Sequence, residues 1–184
     1  MPIVTQDQLV SPEYQDQLAK MRDPKHMPRW GAGGQRHARV VQELIGQYGI
    51  KTLVDYGCGH GMLMADLAKV FKPHQLALVG YDPGMPQFSA LPDQTDMVVS
   101  TDVLEHVEPE KLNGVLTHIR FLTGKIAYLN IHTQAANAKL PDGRNAHLIQ
   151  QPAAWWKTTL EQYFSRVERV KGFDDRRPSF VCRG

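Results

Sequence analysis

Thr52-Leu53-Val54-Asp55-Tyr56-Gly57-Cys58-Gly59-His60-Gly61-Met62-Leu63-Met64-Ala65-Asp66-Leu67-Ala68 is the stretch that decides the fold of this chain. A short apolar run ends on an acid, Asp55. Glycines follow at the alternate positions 57, 59 and 61, and Leu63, Leu67 and Val70 then recur at helical spacing. The order is strand, glycine turn, helix. Alternate glycines let the main chain turn sharply and approach a ligand with no side chain in the way, beside a helix N-terminus with free N–H groups. The turn is built to hold a small molecule.

The details separate the α/β families that share such a turn. A dinucleotide fingerprint needs its third glycine one residue later than Gly61. Asp55-Tyr56-Gly57-Cys58-Gly59-His60-Gly61 instead resembles the first motif of the class I S-adenosylmethionine-dependent methyltransferases, close to the small-molecule, ubiquinone-pathway type. The resemblance implies that Asp55 reaches the methionine part of S-adenosyl-L-methionine and that Gly57, Cys58, Gly59 and Gly61 lie against the cofactor. It further implies cofactor positions at Asp82, Pro83 and Thr101.

With 184 residues and 42% apolar content, the chain fits one globular domain, residues 1–184, with 1–34 as an N-terminal arm or lid. A formal charge of +2 gives no bulk electrostatic reason for a nucleic-acid partner, although Lys171, Arg176, Arg177 and Arg183 make the C-terminal end locally basic. No apolar run approaches the roughly 20 residues of a membrane span, and the N-terminus lacks a signal-peptide layout. A cytoplasmic protein is expected. Cys58 and Cys182 form no ligand cluster, and both are expected reduced.

Prolines at 2, 12, 24 and 28 confine any helix in the arm to the piece from Pro12 to Met21. Trp30 and Gly31 to Gly34 then read as an ordinary loop or, by the resemblance, as a lid over the cofactor. Val40, Val41, Leu44, Ile45 and Tyr48 form one helical face closed by Gly49. After the glycine turn, Leu76 to Tyr81 reads as a second strand ending at Asp82. An acid there can accept hydrogen bonds from both hydroxyls of an adenosine ribose, or it can cap the next turn. Pro83, Pro86 and Pro92 exclude a regular helix between Asp82 and Asp96, leaving Gln87 to Ala90 for a vestigial strand. Asp96 to Ser100 and Lys125 to Ile131 are further strands, and Pro109 and Pro152 open helices. Arg166 to Phe173 and Ser179 to Cys182 could pair as a terminal hairpin across Asp174-Asp175. The fold is α/β, a doubly wound, mostly parallel sheet of the Rossmann-like methyltransferase kind, trimmed between the second and fourth strands.

Methyl transfer from a sulfonium is an in-line displacement in which positioning does most of the work. A hydroxyl acceptor also needs its proton removed, by a histidine or carboxylate base or with the help of a metal. After the fourth strand of the family pattern stands Ser100-Thr101-Asp102-Val103, not the Asn/Asp-Pro-Pro-aromatic motif of DNA amino-methyltransferases. Asp102, Glu105 and His106 resemble the Glu-x-x-Glu-His group that binds a divalent ion in ubiquinone-pathway and small-RNA methyltransferases. His147, ahead of Trp155-Trp156, is similar to a downstream histidine of the small-RNA enzymes. Two readings stay open. Either Asp102, Glu105, His106 and His147 hold a metal, or His106 or His147 serves as a general base without one. The expected function is O-methylation of a small metabolite or carbohydrate. The alternatives are an RNA-end methyltransferase and a non-catalytic S-adenosylmethionine-binding protein.

Overall fold

The structure is a computed structural model, and it describes residues 4–22, 32–170 and 175–184. Six strands form one sheet: β1 (Thr52–Tyr56), β2 (Ala77–Tyr81), β3 (Thr95–Thr101), β4 (Thr123–Asn130), β5 (Arg166–Arg169) and β6 (Ser179–Arg183). Their order is β2-β1-β3-β4-β6-β5. The first four run parallel, whereas β6 is antiparallel to β4 and β5 antiparallel to β6. The reversed C-terminal hairpin therefore forms as the sequence suggests; residues 171–174, including Asp174, lie outside the described residues.

The chain leaves β1 towards β2 on one side and returns to β3 on the other, so the order of strands reverses between β1 and β3. Ligands in open α/β sheets bind outside the carboxyl ends of the strands at such a reversal. Here the glycine turn after β1 and the segment from Thr101 to His106 after β3 meet at that point.

Alternation along the strands divides the core into two faces. Val54, Val98, Ala127 and Leu129 pack against α4 (Leu112–Leu122) and α5 (Ala153–Leu160), where Leu116, Ile119, Trp156 and Leu160 are buried. Leu53, Met97, Val99 and Ile126 face α2 (Ala38–Tyr48) and α3 (Met62–Val70), meeting Val41, Leu44, Ile45, Leu63 and Leu67. The helix before β1 ends at Gly49 in the left-handed conformation, φ 58°, the stop its sequence implies.

The sheet is trimmed: β2 is its outer strand. The vestigial strand expected over Gln87 to Ala90 is instead one turn of 3₁₀ helix, Pro86–Phe88. Pro86 sets the first position, and the carbonyl of Phe88 is taken by the N–H of Asp82 at 2.8 Å, folding the segment back on itself rather than along β2. The arm helix, α1 (Pro12–Met21), forms where the prolines confine it, with Ser11 accepting from the N–H of Tyr14 as N-cap. Trp30 and Gly31 of the candidate lid lie outside the described residues. No helix among the described residues is long and apolar enough to cross a membrane.

Candidate active site

The glycine turn is held by main-chain bonds to the end of β2. The N–H groups of Gly57 and Cys58 donate to the carbonyl of Tyr81 at 2.7 and 3.1 Å. Gly57, Gly59 and Gly61 all take positive φ, 85°, 52° and 76°. At Gly57 there is also no room for a side chain, since a Cβ would stand 2.3 Å from Val103 Cγ2. The glycines thus serve both conformation and close packing against the segment that follows β3.

Asp55 lies buried under this turn. Burial, with a smaller contribution from the Asp82 charge, pushes its carboxyl up to about 7, and no hydrogen bond lowers it. A buried acid without a donor, below an open glycine turn, suits the ammonium of an amino-acid moiety. Cys58 is a free, buried thiol raised by desolvation, and its backbone N–H ties the turn to Tyr81. Thr101, Gly57 and Gly34 line the floor of a cleft of about 900 Å³. These are the residues that the family resemblance assigns to the methionine half of S-adenosylmethionine.

Asp82 is different. Its carboxylate is fully buried, accepts from the N–H groups of Gly59 at 3.0 Å and Gly84 at 2.9 Å, and is paired with Arg22 Nη1 at 2.6 Å. Pro83 beside it accepts from Gln15 Nε2 at 2.7 Å. Both partners, Arg22 and Gln15, come from α1 and its C-cap, so the arm covers Asp82 and Pro83.

The acceptor side of the cleft carries His106, His132, His147, Arg36, Arg177 and Asp102. Asp102 does not join Glu105 and His106 on one face of a helix start, as its spacing suggests. The chain makes only a 3₁₀ turn there, Leu104–His106, and Asp102 itself adopts φ 53°. Its carboxylate takes Arg36 Nη2 at 3.0 Å and Arg177 Nη1 at 3.1 and 3.2 Å. The potential metal ligands gathered within 4.8 Å of one another are Glu105, His106 and His147, without Asp102.

His106 and His147 are set up alike. The His106 Nδ1 meets the carbonyl of Ala146 at 2.7 Å and the His147 Nδ1 that of Gln134 at 2.5 Å, so each Nδ1 carries the proton and Nε2 is left as the basic nitrogen. The rings stand edge-on with centroids 4.7 Å apart. Burial, helped by His147, lowers His106 to about 4, so it is neutral near pH 7. Glu105 is fully buried and raised well above the ordinary carboxylate range by desolvation; its Oε1 accepts from the N–H of His132 at 2.9 Å, and Oε2 has no partner.

His132 lies just after β4, and the partners Gln134 and Ala146 sit in an irregular segment with no periodicity to reveal them. Arg22, Arg36 and Arg177 were missed as site residues, for each reaches the cleft from a different part of the chain. Of the two tryptophans, Trp156 is wholly in the core and Trp155 is partly exposed outside the cleft.

Comparison with known proteins agrees with this fold. A carbon methyltransferase, CurJ, superposes with a TM-score of 0.59 at 13% identity, covering 82% of this chain and 53% of that one. The mitomycin 7-O-methyltransferase MmcR gives 0.59 at 15% identity, covering 91% and 60%. The Burkholderia thailandensis 1,6-didemethyltoxoflavin-N1-methyltransferase, solved with its substrate and S-adenosylhomocysteine, gives 0.62 at 15% identity, covering 95% and 91%. The chain thus spans 53% and 60% of the first two, and the likeness is one of fold. A search of curated protein sequences finds no match. A family profile described as a methyltransferase domain matches residues 10–169, most of the chain. With the glycine turn and strand order already described, the chain belongs to the methyltransferase-domain family, of the class I type that uses S-adenosylmethionine.

Proposed function

We propose that this chain is a catalytic, cytoplasmic methyltransferase that methylates an oxygen of a small metabolite or carbohydrate. The observation that carries the reading is His147, whose Nδ1 is fixed by the carbonyl of Gln134 so that Nε2 is the proton-accepting nitrogen beside the cleft, with His106 packed edge-on against it. Bound over Asp55 and Gly57, S-adenosylmethionine supplies a methyl group on a sulfonium sulfur. The chain's own task is to hold the acceptor oxygen in line and to take its proton, for which His147 Nε2 is the favoured base. The cleft is lined by imidazoles, guanidiniums and a carboxylate rather than plugged by apolar side chains, which supports an enzyme over a non-catalytic cofactor-binding protein.

A second reading is supported by Glu105, His106 and His147, which offer ligand atoms within 4.8 Å of one another, and by the buried Glu105 Oε2, which has no partner among the described residues. A divalent ion held by Glu105, His106 and His147 would orient acceptor oxygens and ease deprotonation. The test is transfer of labelled methyl from S-adenosylmethionine to a panel of phenols, vicinal diols and sugars, with short RNAs alongside. Label in a small hydroxyl compound is expected. Label entering only RNA termini would overturn the small-molecule reading.

A further inference from the structure

Asp82 is the acid expected to receive a ribose, yet Arg22 already holds it, and the way Arg22 is mounted explains how. α1 lies across the segments that follow β2 and β3. The Ser11 N–H and hydroxyl donate to the two oxygens of Glu108 at 2.8 and 2.6 Å, the Tyr14 hydroxyl donates to the carbonyl of His106 at 2.6 Å, and Gln15 reaches Pro83. Tyr14 and Leu18 are buried, with Val10, against Leu140 and Ala146. The helix sits so low that a Cβ on Gly84 would be 1.9 Å from Arg22 Nη1 and 2.9 Å from Leu18 Cβ. Nothing with the thickness of an aromatic ring passes between α1 and the backbone after Asp82.

Beneath α1 an apolar void of about 50 Å³ remains, walled by Leu18, Tyr81, Pro83 and Val103. Arg22, Gly57, Val103 and His106 line both this void and the main cleft, and of these only Arg22 belongs to the arm. Arg22 is therefore the partition. Lifting it would join void and cleft into one slot running from Asp82 past Gly57 to the histidines.

We propose that α1 is a gate closed on the adenosine half of the cofactor site, in which the Arg22 guanidinium stands in for the ribose hydroxyls on Asp82. This rests on the reading of Asp82 as the ribose acceptor. Cofactor entry requires α1 to lift, breaking the Arg22–Asp82 pair and the Ser11–Glu108 clamp. The same motion frees the carbonyl of His106, so entry is felt at the acceptor side. A protein whose competent conformation is a minor one binds more weakly by the fraction that is open.

The test titrates S-adenosylhomocysteine by calorimetry into wild type, Arg22→Met and Ser11→Ala, with hydrogen exchange followed in each. Arg22→Met keeps the stem and removes the competitor, whereas Ser11→Ala loosens the clamp far from Asp82 and covers the case in which the buried Asp82 of the first variant impairs folding. The Kd is expected to fall roughly fivefold or more in Arg22→Met and by a smaller factor in Ser11→Ala. In wild type, ligand should speed exchange over residues 12–21 while slowing it at 57–61. If all three proteins bind equally and exchange in α1 is unchanged or slowed, the gate is overturned and the cofactor reading stands. If none binds while all are folded, the cofactor reading itself fails and the gate with it.

Discussion

Glu105 accepts a hydrogen bond from the main-chain N–H of His132 at 2.9 Å, which ties the exit of β3 to the exit of β4 across the floor of the active site. The carbonyl of Glu105 is also used, receiving the N–H of Ile149 at 3.0 Å. One residue thus fixes two loops that carry histidines. Burial favours the uncharged form of its carboxyl, so Glu105→Gln preserves the shape and the acceptor oxygen with little electrostatic change. Glu105→Ala leaves the His132 N–H without that acceptor and opens a hole. The expected outcome is a near-neutral change for Gln and a loss of about 2 to 4 kcal/mol for Ala, measured by denaturant unfolding. Equal stability of the two variants would refute the pinning role.

Asp55 makes both stability and ligand binding depend on pH. Its folded pKa of about 7 lies above the unfolded value of 3.8. Between these values the folded state keeps a proton that the unfolded chain has released, so stability falls as pH rises through this window. A ligand ammonium at Asp55 prefers the ionised acid, so affinity for S-adenosylhomocysteine should rise with pH up to about 7 and then level off. Asp55→Asn should flatten the pH dependence of both quantities. Calorimetric titration at several pH values checks the second, and unchanged pH dependence in Asp55→Asn would remove Asp55 from the site.

The fold and the cofactor turn were legible because their signals are local. The run Leu53-Val54-Asp55, the alternate glycines and the helical faces of α2 and α4 each occupy a dozen residues or fewer and need no partner to be recognised. The acceptor side depends on contacts between distant segments. Asp102 looks like a metal ligand by its spacing to Glu105, yet a positive φ at Asp102 turns it towards Arg36 and Arg177, 66 and 75 residues away. The Arg22–Asp82 pair depends on where the arm helix docks, and the pattern of α1 gives its apolar face without naming the surface that receives it. His118 is a structural residue: it is buried, with Nδ1 3.2 Å from the Tyr56 hydroxyl.

Gly57 and Gly49 separate two costs that are usually confounded. Both have positive φ, 85° and 58°, but a Cβ at Gly49 would meet nothing within 4 Å, whereas one at Gly57 would collide with Val103. Gly49→Ala should therefore cost only the left-handed strain, about 1 to 2 kcal/mol. Gly57→Ala should add about 1 to 3 kcal/mol of overpacking and weaken S-adenosylhomocysteine binding, since the displaced Val103 lines both the cleft and the void beneath α1. Thermal unfolding with and without ligand distinguishes them. Equal losses with ligand binding intact in both would show that Gly57 has no part in the packing of the turn.

His106 and His147 decide between the two chemistries of the acceptor side. If His147 is the base, His147→Ala should lower kcat by about a hundredfold to ten-thousandfold while leaving cofactor affinity unchanged, because its ring is anchored by the Gln134 carbonyl and not by the glycine turn. His106→Ala should be milder, removing the ring that packs edge-on against His147 but not the proton acceptor. In the metal reading the two substitutions are equivalent, since each deletes one of three ligands. A chelator adds an independent axis. With a base and no ion, EDTA should leave turnover of the identified acceptor intact, and manganese should not rescue His147→Ala. Loss of turnover in EDTA, its return with manganese, and equal damage from both histidine substitutions would instead assign the cluster to a divalent ion. We expect the first pattern, because burial favours the protonated form of Glu105, and a metal would need the ionised one.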